Sequence, residues 1–245
     1  MELQRFFLEI LMDTSVVGEE VLLSEEESHH ASRVLRLRAG DSLLLVDGGG
    51  HLTKAHILEA HPKRMRCQIV EIERGQDKPP AVHLAVAPTK NISRFEWLLE
   101  KATEIGLGSI TPLQCERSER QFLKMERLRK VLISAMKQSR RSWLPQLNPL
   151  TPLAEFLNAP LTGQGYIAFL GDQSLPLQGV HPYPSPASIM IGPEGDFSAE
   201  ECLAAKQRGF QPVSLGQARL RTETAALIAC AIINTLNESS QNEKA

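Results

Sequence analysis

Arg221 and Glu223 stand two residues apart in the segment Leu215-Gly216-Gln217-Ala218-Arg219-Leu220-Arg221-Thr222-Glu223-Thr224-Ala225. A fixed cation can stabilise negative charge that develops on a substrate, and a carboxylate close by can accept a proton. A second glycine-punctuated segment lies upstream, Ile191-Gly192-Pro193-Glu194-Gly195-Asp196-Phe197-Ser198. Each follows a short apolar run and leads into a helix-like stretch. Glycine lets the main chain pass close to a ligand, and the helix start that follows offers unpaired N–H groups. Both segments also have a plain structural reading. Gly-Pro-Glu-Gly makes a tight strand-to-helix turn, and Thr222 caps a helix whose positive end Glu223 favours while Arg221 sits on the surface.

The elements that must position these residues alternate. From residue 78 onward, strand candidates at Val82–Ala87, Ile110–Leu113, Tyr166–Leu170, Ser188–Ile191 and Gln211–Leu215 are interleaved with helices at Arg94–Ile105, Glu119–Ser139, Ser198–Arg208 and Thr222–Leu236. Gly106 and Gly209 stop two of the helices, and Ser198 with Glu201 forms a capping box. Phe122, Met125, Leu128, Leu132, Ala135 and Met136 share one face of the long helix. Gly171–Pro186, with four prolines, reads as loop, and Ser239–Ala245 as a frayed tail. Strands apolar on both faces and alternating with helices predict an α/β domain with a largely parallel sheet. Residues 1–74 differ. They hold short alternating strands, an Asp47-Gly48-Gly49-Gly50 turn and one helical patch, Ser24–Leu35, and predict a small, mostly β domain. Gly75–Pro80 reads as the linker.

Composition narrows the classes. The chain has 245 residues, a formal net charge of −2 and four cysteines, with no C-x-x-C and no close cysteine pair. That pattern argues against structural zinc and against a disulfide framework. The N-terminus carries Glu2, Arg5 and Glu9 where a signal peptide needs an apolar run, so a soluble, cytoplasmic protein is expected. G-x-G-x-x-G and G-K-[ST] are both absent, which removes the common dinucleotide and triphosphate fingerprints. Charge is unevenly spread. Nine Lys or Arg lie between Arg117 and Arg141 against two acidic residues, whereas residues 1–74 carry nine basic and thirteen acidic side chains. Such a run is either a phosphate-binding surface or a solvated helix face.

Taken together, the two glycine segments resemble I-G-P-E-G-x-x-S-x-x-E and L-G-x-x-x-L-R-T-E-T-A, the cofactor loops of the ribosomal RNA small subunit methyltransferase E family, in the SPOUT superfamily. Arg94–Gly106 is similar to that family's K-A-x-E-L-G helix. Glu116-Arg117-Ser118 and Gln138-Ser139-x-Arg141 resemble two further signatures, and His30, Val34-Leu35-Arg36 and Gly40-Asp41 its N-terminal domain. Many members have glycine where this chain has Asp196, and leucine where it has Ile105. The resemblance implies a PUA-like β-barrel RNA-binding domain over 1–74 and a trefoil-knotted methyltransferase domain over 78–245. It also implies a homodimer with the site near the subunit interface and S-adenosyl-L-methionine as cofactor, while the missing ligand spacings lead to the expectation of no metal. The expected activity is methylation of uridine N3 in 16S ribosomal RNA. Ribose 2′-O methylation, or a noncatalytic RNA-binding assembly role, are the alternatives.

By the same resemblance, the backbone around Ile191, Gly192, Pro193, Glu194, Gly195, Leu215, Gly216 and Leu220 surrounds the adenosine. Arg221, Glu223, Thr224 and Ala225 lie beside the methionine end or the target base. Arg221 is assigned to charge developing on the base carbonyls. Glu223 is a candidate proton acceptor, although an ordinary carboxylate pKa of about 4 matches a weakly acidic imide poorly, and water is the other candidate. Lys90, Arg117, Lys124, Arg129, Gln138 and Arg141 are the candidate RNA contacts. Arg117→Ala and Arg141→Ala are expected to weaken RNA binding and flatten its salt dependence, and an unchanged affinity across a salt titration would count against that surface.

Overall fold

In a computed structural model of the chain, residues 3–9, 15–74, 81–169, 171 and 174–242 are described. The predicted linker Gly75–Pro80 and residues Leu170 and Glu243–Ala245 fall outside them. The chain divides into two compact units, Met1–Pro79 with Ile133–Leu144, and Pro80–Leu132 with Pro145–Ala245.

The first unit is built on a curled five-stranded sheet in the order β1-β3-β4-β5-β2. Its strands are β1 (Arg5–Phe7), β2 (Glu20–Leu22), β3 (Ser42–Val46), β4 (His51–Glu59) and β5 (Arg66–Arg74). β1 runs parallel to β3, and the other pairs are antiparallel. Two register shifts between β4 and β5 supply local twist, which is how a short sheet curls. Inward residues alternate along the strands, so Leu43, Leu45, Ala55, Ile57, Cys67 and Ile69 meet in one core with Phe6 and Met65. The Asp47 carboxylate fixes the glycine turn by accepting from the Gly49 amide at 2.7 Å. Ser24 caps α1 (Glu25–His29), accepting from the Glu27 amide at 3.2 Å, and the chain runs on through a π-helical turn at His30–Val34. The Glu27 carboxylate bonds the Lys137 ammonium.

In the second unit, every strand pair is parallel: β6 (Val82–Val86), β7 (Leu107–Gln114), β8 (Gln146–Leu147), β9 (Thr151–Pro152), β10 (Gln164–Ala168), β11 (Leu175–Pro176), β12 (Ala187–Ile191) and β13 (Gln211–Ser214). The order is β11-β13-β10-β12-β6-β7-β8, with β9 also on β7. Central β12 is buried along its whole length, which explains its apolar run. Helices α2 (Ile92–Ile105), α4 (Leu153–Asn158), α6 (Ala199–Gln207) and α7 (Thr222–Asn242) belong to this unit. Gly106 ends α2 at φ 119°, and both halves of the Ser198–Glu201 capping box are formed at α6. Side-chain amides hold α7 in place. Asn234 donates to the Gly106 carbonyl at 3.1 Å, and Asn237 exchanges bonds with both backbone groups of Ser185.

Three expectations change. The helix predicted over Glu119–Ser139 is α3 (Met125–Gln138), and Phe122, placed on its apolar face by periodicity, is 72% exposed. Arg120 is the reason: its guanidinium donates to the Thr89 and Lys90 carbonyls at 3.1 and 2.5 Å, which holds this stretch outside the helix. Gly171–Pro186 is not all loop, because Leu175 and Pro176 pair with the edge of β13 and buried Leu177 begins the short helix α5 (Leu177–Val180). The expected frayed tail continues α7 as far as Asn242.

Asp196 occupies the turn between β12 and α6 at φ 62°, a left-handed conformation that suits glycine. Its carboxylate accepts from the Phe197 amide at 2.8 Å, a local bond of the kind that lets Asp tolerate this region. The departure from glycine at this position therefore leaves the turn intact. Among the described residues, no helix is long and apolar enough to cross a membrane.

His83 on β6 is walled in by the sheet. Ser188 Oγ lies 2.9 Å from Nδ1 and Thr111 Oγ1 lies 2.8 Å from Nε2, and burial holds the ring down at about 4 against an ordinary 6.5. An unfolded chain takes up this proton near pH 6.5 and the folded one only near pH 4. The contribution is therefore complete above pH 6.5 and is lost as pH falls from there towards 4. Urea unfolding at pH 7 and pH 5 should show the wild type losing about 2 kcal/mol more than His83→Gln, and equal losses would contradict this.

Candidate active site

The carboxyl ends of three neighbouring strands, β10, β12 and β13, open into a cavity of about 350 Å³. Crevices at this end of a parallel sheet are where ligands bind in open α/β folds, and the volume suits a small organic ligand. Ala168 and Phe169 line it at the end of β10, Ile191 to Glu194 at the end of β12, and Val213 to Gly216 at the end of β13. The far wall is Ala218 to Glu223 with Ala225, where the chain enters α7, and Arg94 reaches in from α2.

Two glycines serve different ends. Gly216 sits at φ 126°, with open space where a Cβ would be, so the backbone angle requires it. Gly192 has an ordinary φ, but a Cβ there would lie 3.1 Å from the Phe197 ring, so close packing requires it. Thr222 does more than start a helix. Its hydroxyl donates to the Gly192 carbonyl at 3.0 Å and ties the entrance of α7 to the loop after β12. The Lys90 amide donates to Glu194 Oε1 at 3.0 Å, and Arg117 donates to the Gly195 carbonyl at 2.9 Å. The loop is thus held on two further sides.

Ten of the twelve expected cofactor residues line this one cavity: Ile191, Gly192, Pro193, Glu194, Leu215, Gly216, Leu220, Arg221, Glu223 and Ala225. Gly195 packs against the Arg117 side chain instead. Thr224 faces an adjoining hollow together with Arg221 and Glu223. Arg221 is exposed, whereas Glu223 is buried and its Oε1 lies 3.8 Å from Arg94 Nε. Sequence reasoning missed Arg94, Phe169 and Val213. Arg94 was in plain sight in the Arg94-Phe95-Glu96-Trp97 stretch but read only as a helix position. The strand ends could have been found from the rule that parallel sheets bind at their carboxyl edge.

The candidate RNA residues are divided. Lys90, Arg117, Lys124 and Arg129 are exposed on the second unit, while Gln138 and Arg141 belong to the first. Lys90 pairs with Glu119 at 2.8 Å, and that contact raises its pKa. Arg127 pairs with Glu96 at 2.8 Å. Within the basic run, Arg117 and Arg120 thus bond loop carbonyls, and Arg127 ties α3 to α2. Burial pushes the Cys67 and Cys115 thiols up to about 12, which removes them as nucleophiles near neutral pH.

The cavity has the walls that an adenosine-linked amino acid needs. Apolar side chains (Ile191, Val213, Leu215, Leu220) can sandwich a flat base, backbone groups of two loops can read its edge, and carboxylates with three arginines (Arg94, Arg219, Arg221) can meet charged ends.

Comparison with known proteins agrees with this geometry. The RNA methyltransferase domain family matches residues 76–234, and the RNA methyltransferase PUA domain family matches residues 23–70. A ribosomal RNA small subunit methyltransferase E from Synechocystis sp. is 34% identical, over 94% of this chain and 78% of that protein. The protein of the same name from Bacillus subtilis is 25% identical, over 96% and 98%. The crystal structure of ribosomal RNA small subunit methyltransferase E from Neisseria gonorrhoeae bound to S-adenosyl methionine superposes with a TM-score of 0.85. It is 29% identical, over 96% of this chain and 98% of that one. A parallel-sheet unit with glycine loops at its carboxyl edge, in a chain that also has a curled sheet of PUA type, is the SPOUT-type fold that the sequence resemblance leads one to expect. The chain belongs to the RNA methyltransferase family, among the ribosomal RNA small subunit methyltransferase E proteins.

Proposed function

We propose that this RNA methyltransferase uses S-adenosyl-L-methionine to methylate N3 of a uridine in 16S ribosomal RNA of the small subunit, in the cytoplasm and as a homodimer. The observation that carries the reading is the convergence of the two signature loops on one cavity with Arg221 and Glu223 in its wall. The Neisseria relative binds this cofactor and the curated relatives carry the rRNA methyltransferase name, which supports both halves of the proposal.

The cofactor, when bound, supplies an electrophilic methyl group on a cationic sulfur. The chain supplies alignment and charge. Holding uridine N3 in line with the methyl carbon is a proximity effect and provides much of the acceleration. Arg221, exposed beside the cavity, stabilises the negative charge that spreads to the base carbonyls as N3 loses its proton. Glu223, buried at the start of α7, is the carboxylate placed to take that proton, directly or through water. Lys124 and Arg129 offer charge to phosphates, and Arg141 with Gln138 adds contacts from the unit that includes residues 1–74. We assign RNA binding to residues 1–74, and cofactor binding and catalysis to residues 78–245, whose chain path we take to be the family's trefoil knot. Arg117 has a double task. Because it holds the Gly195 carbonyl, its loss disturbs the cofactor loop as well as the RNA surface. The dimer rests on α7, where Leu227, Ile228 and Ile232 stay half-buried while Ala226, Ala229, Cys230 and Ile233 pack into the unit.

Transfer of labelled methyl from S-adenosylmethionine to small subunits from cells lacking this protein, followed by nucleoside digestion, tests the reading. The expected product is N3-methyluridine at one site. Arg221→Ala should lower the rate at least a hundredfold while cofactor binding stays within a few fold. A 2′-O-methylated nucleoside, or no transfer despite cofactor binding, would refute the proposal.

A further inference from the structure

Beside the cofactor cavity lies a second hollow of about 330 Å³, lined by Ser93, Arg94, Trp97, Arg221, Glu223 and Thr224. It shares Arg94, Arg221 and Glu223 with the larger cavity, so the two open onto the same three charged side chains. Ser93, Arg94 and Trp97 fall on one face of α2, being one and three residues apart with Ser93 and Trp97 separated by a full turn. Trp97 is 43% exposed, although an indole on a packed helix ordinarily goes inward, as Phe95, Leu98 and Leu99 of the same helix do. The helix thus presents one large aromatic surface to solvent at the edge of a charged hollow.

Chemistry at uridine N3 imposes a need that this hollow answers. N3 lies on the pairing edge of the base, so a methyl donor reaches it only when the base is unpaired and turned out of its stack. A protein that receives such a base replaces the lost stacking with an aromatic face and reads the exposed edge with polar groups. The geometry points to the Ser93–Trp97 hollow as the subsite for the flipped uracil, with Trp97 stacking on the base and Arg94 set beside its carbonyl edge, opposite Arg221. The 3.8 Å approach of Arg94 to Glu223 positions the guanidinium at the junction of the two cavities. The inference rests on the methyl-transfer reading above and adds the place where the nucleotide sits and the residue that holds it.

Steady-state transfer to small subunits lacking the modification, with cofactor affinity and sedimentation measured in parallel, tests this for Trp97→Ala and Trp97→Phe. Since Trp97 is 43% exposed and lies outside the buried set Phe95, Leu98 and Leu99 of its helix, both variants should fold and melt close to the wild type. Trp97→Ala should raise KM for the subunit about tenfold, with kcat and cofactor affinity changed less than threefold. Trp97→Phe, which keeps an aromatic face, should recover most of the loss. An unchanged KM for Trp97→Ala, a loss that phenylalanine does not repair, equal loss of cofactor binding, or conversion to a smaller oligomer would each overturn the subsite while leaving methyl transfer by the wild type standing. Absence of transfer by the wild type itself would remove the underlying reading, and the subsite with it.

Discussion

The hydrogen bond from Thr222 to the Gly192 carbonyl joins two segments thirty residues apart in sequence. One segment leaves the central strand β12, and the other enters α7. Without a tie, each would be a glycine-bearing turn free to sample several backbone states, and the cavity between them would not keep one shape. With it, the start of α7 presents its unpaired amides and the Arg221–Glu223 pair to the same space that the β12 loop encloses. Glu194, bonded to the Lys90 amide, and Arg117, bonded to Gly195, brace that loop from outside. Pre-organisation of this kind is what lets backbone groups bind a ligand without first losing conformational entropy.

The parallel sheet and most of the helices were legible because their signals are local. Runs apolar on both faces marked β10 and β12, glycines marked the end of α2, and Ser198 with Glu201 marked the start of α6. What escaped depends on distant partners. No periodicity reveals that Arg120 holds Lys90 and Thr89 and so delays the start of α3, or that Leu175 finds the edge of β13 inside a proline-rich stretch. The same holds for the site. Glycine loops announce themselves in sequence, whereas Arg94 joins them only because α2 packs beside α7 in three dimensions.

Charge patterning shows a related limit. The basic run between Arg117 and Arg141 reads as an RNA surface, yet several of its members are engaged within the protein: Arg117 with a loop carbonyl, Arg120 with two more, and Arg127 with Glu96. Guanidinium groups suit this work because they donate in several directions and stay charged at any accessible pH. A residue of this kind can position the loop proposed to hold the cofactor and face a phosphate at once, so counting positive charges overstates the surface left for RNA. At Asp196 the opposite happened. A substitution that looked like a departure in sequence proves to be a different side chain meeting the same left-handed backbone requirement.

Calorimetric titration of S-adenosylmethionine into Thr222→Val and Thr222→Ser shows whether the Thr222 tie makes the two loops one cradle for the proposed cofactor. Valine keeps the shape and removes the hydroxyl. Loss of that bond, leaving the Gly192 carbonyl unpaired, should weaken cofactor binding about tenfold, a cost of about 1.4 kcal/mol, while serine stays within about twofold of the wild type. Wild-type affinity in Thr222→Val would contradict the account, because it would mean that each loop holds its shape without the other.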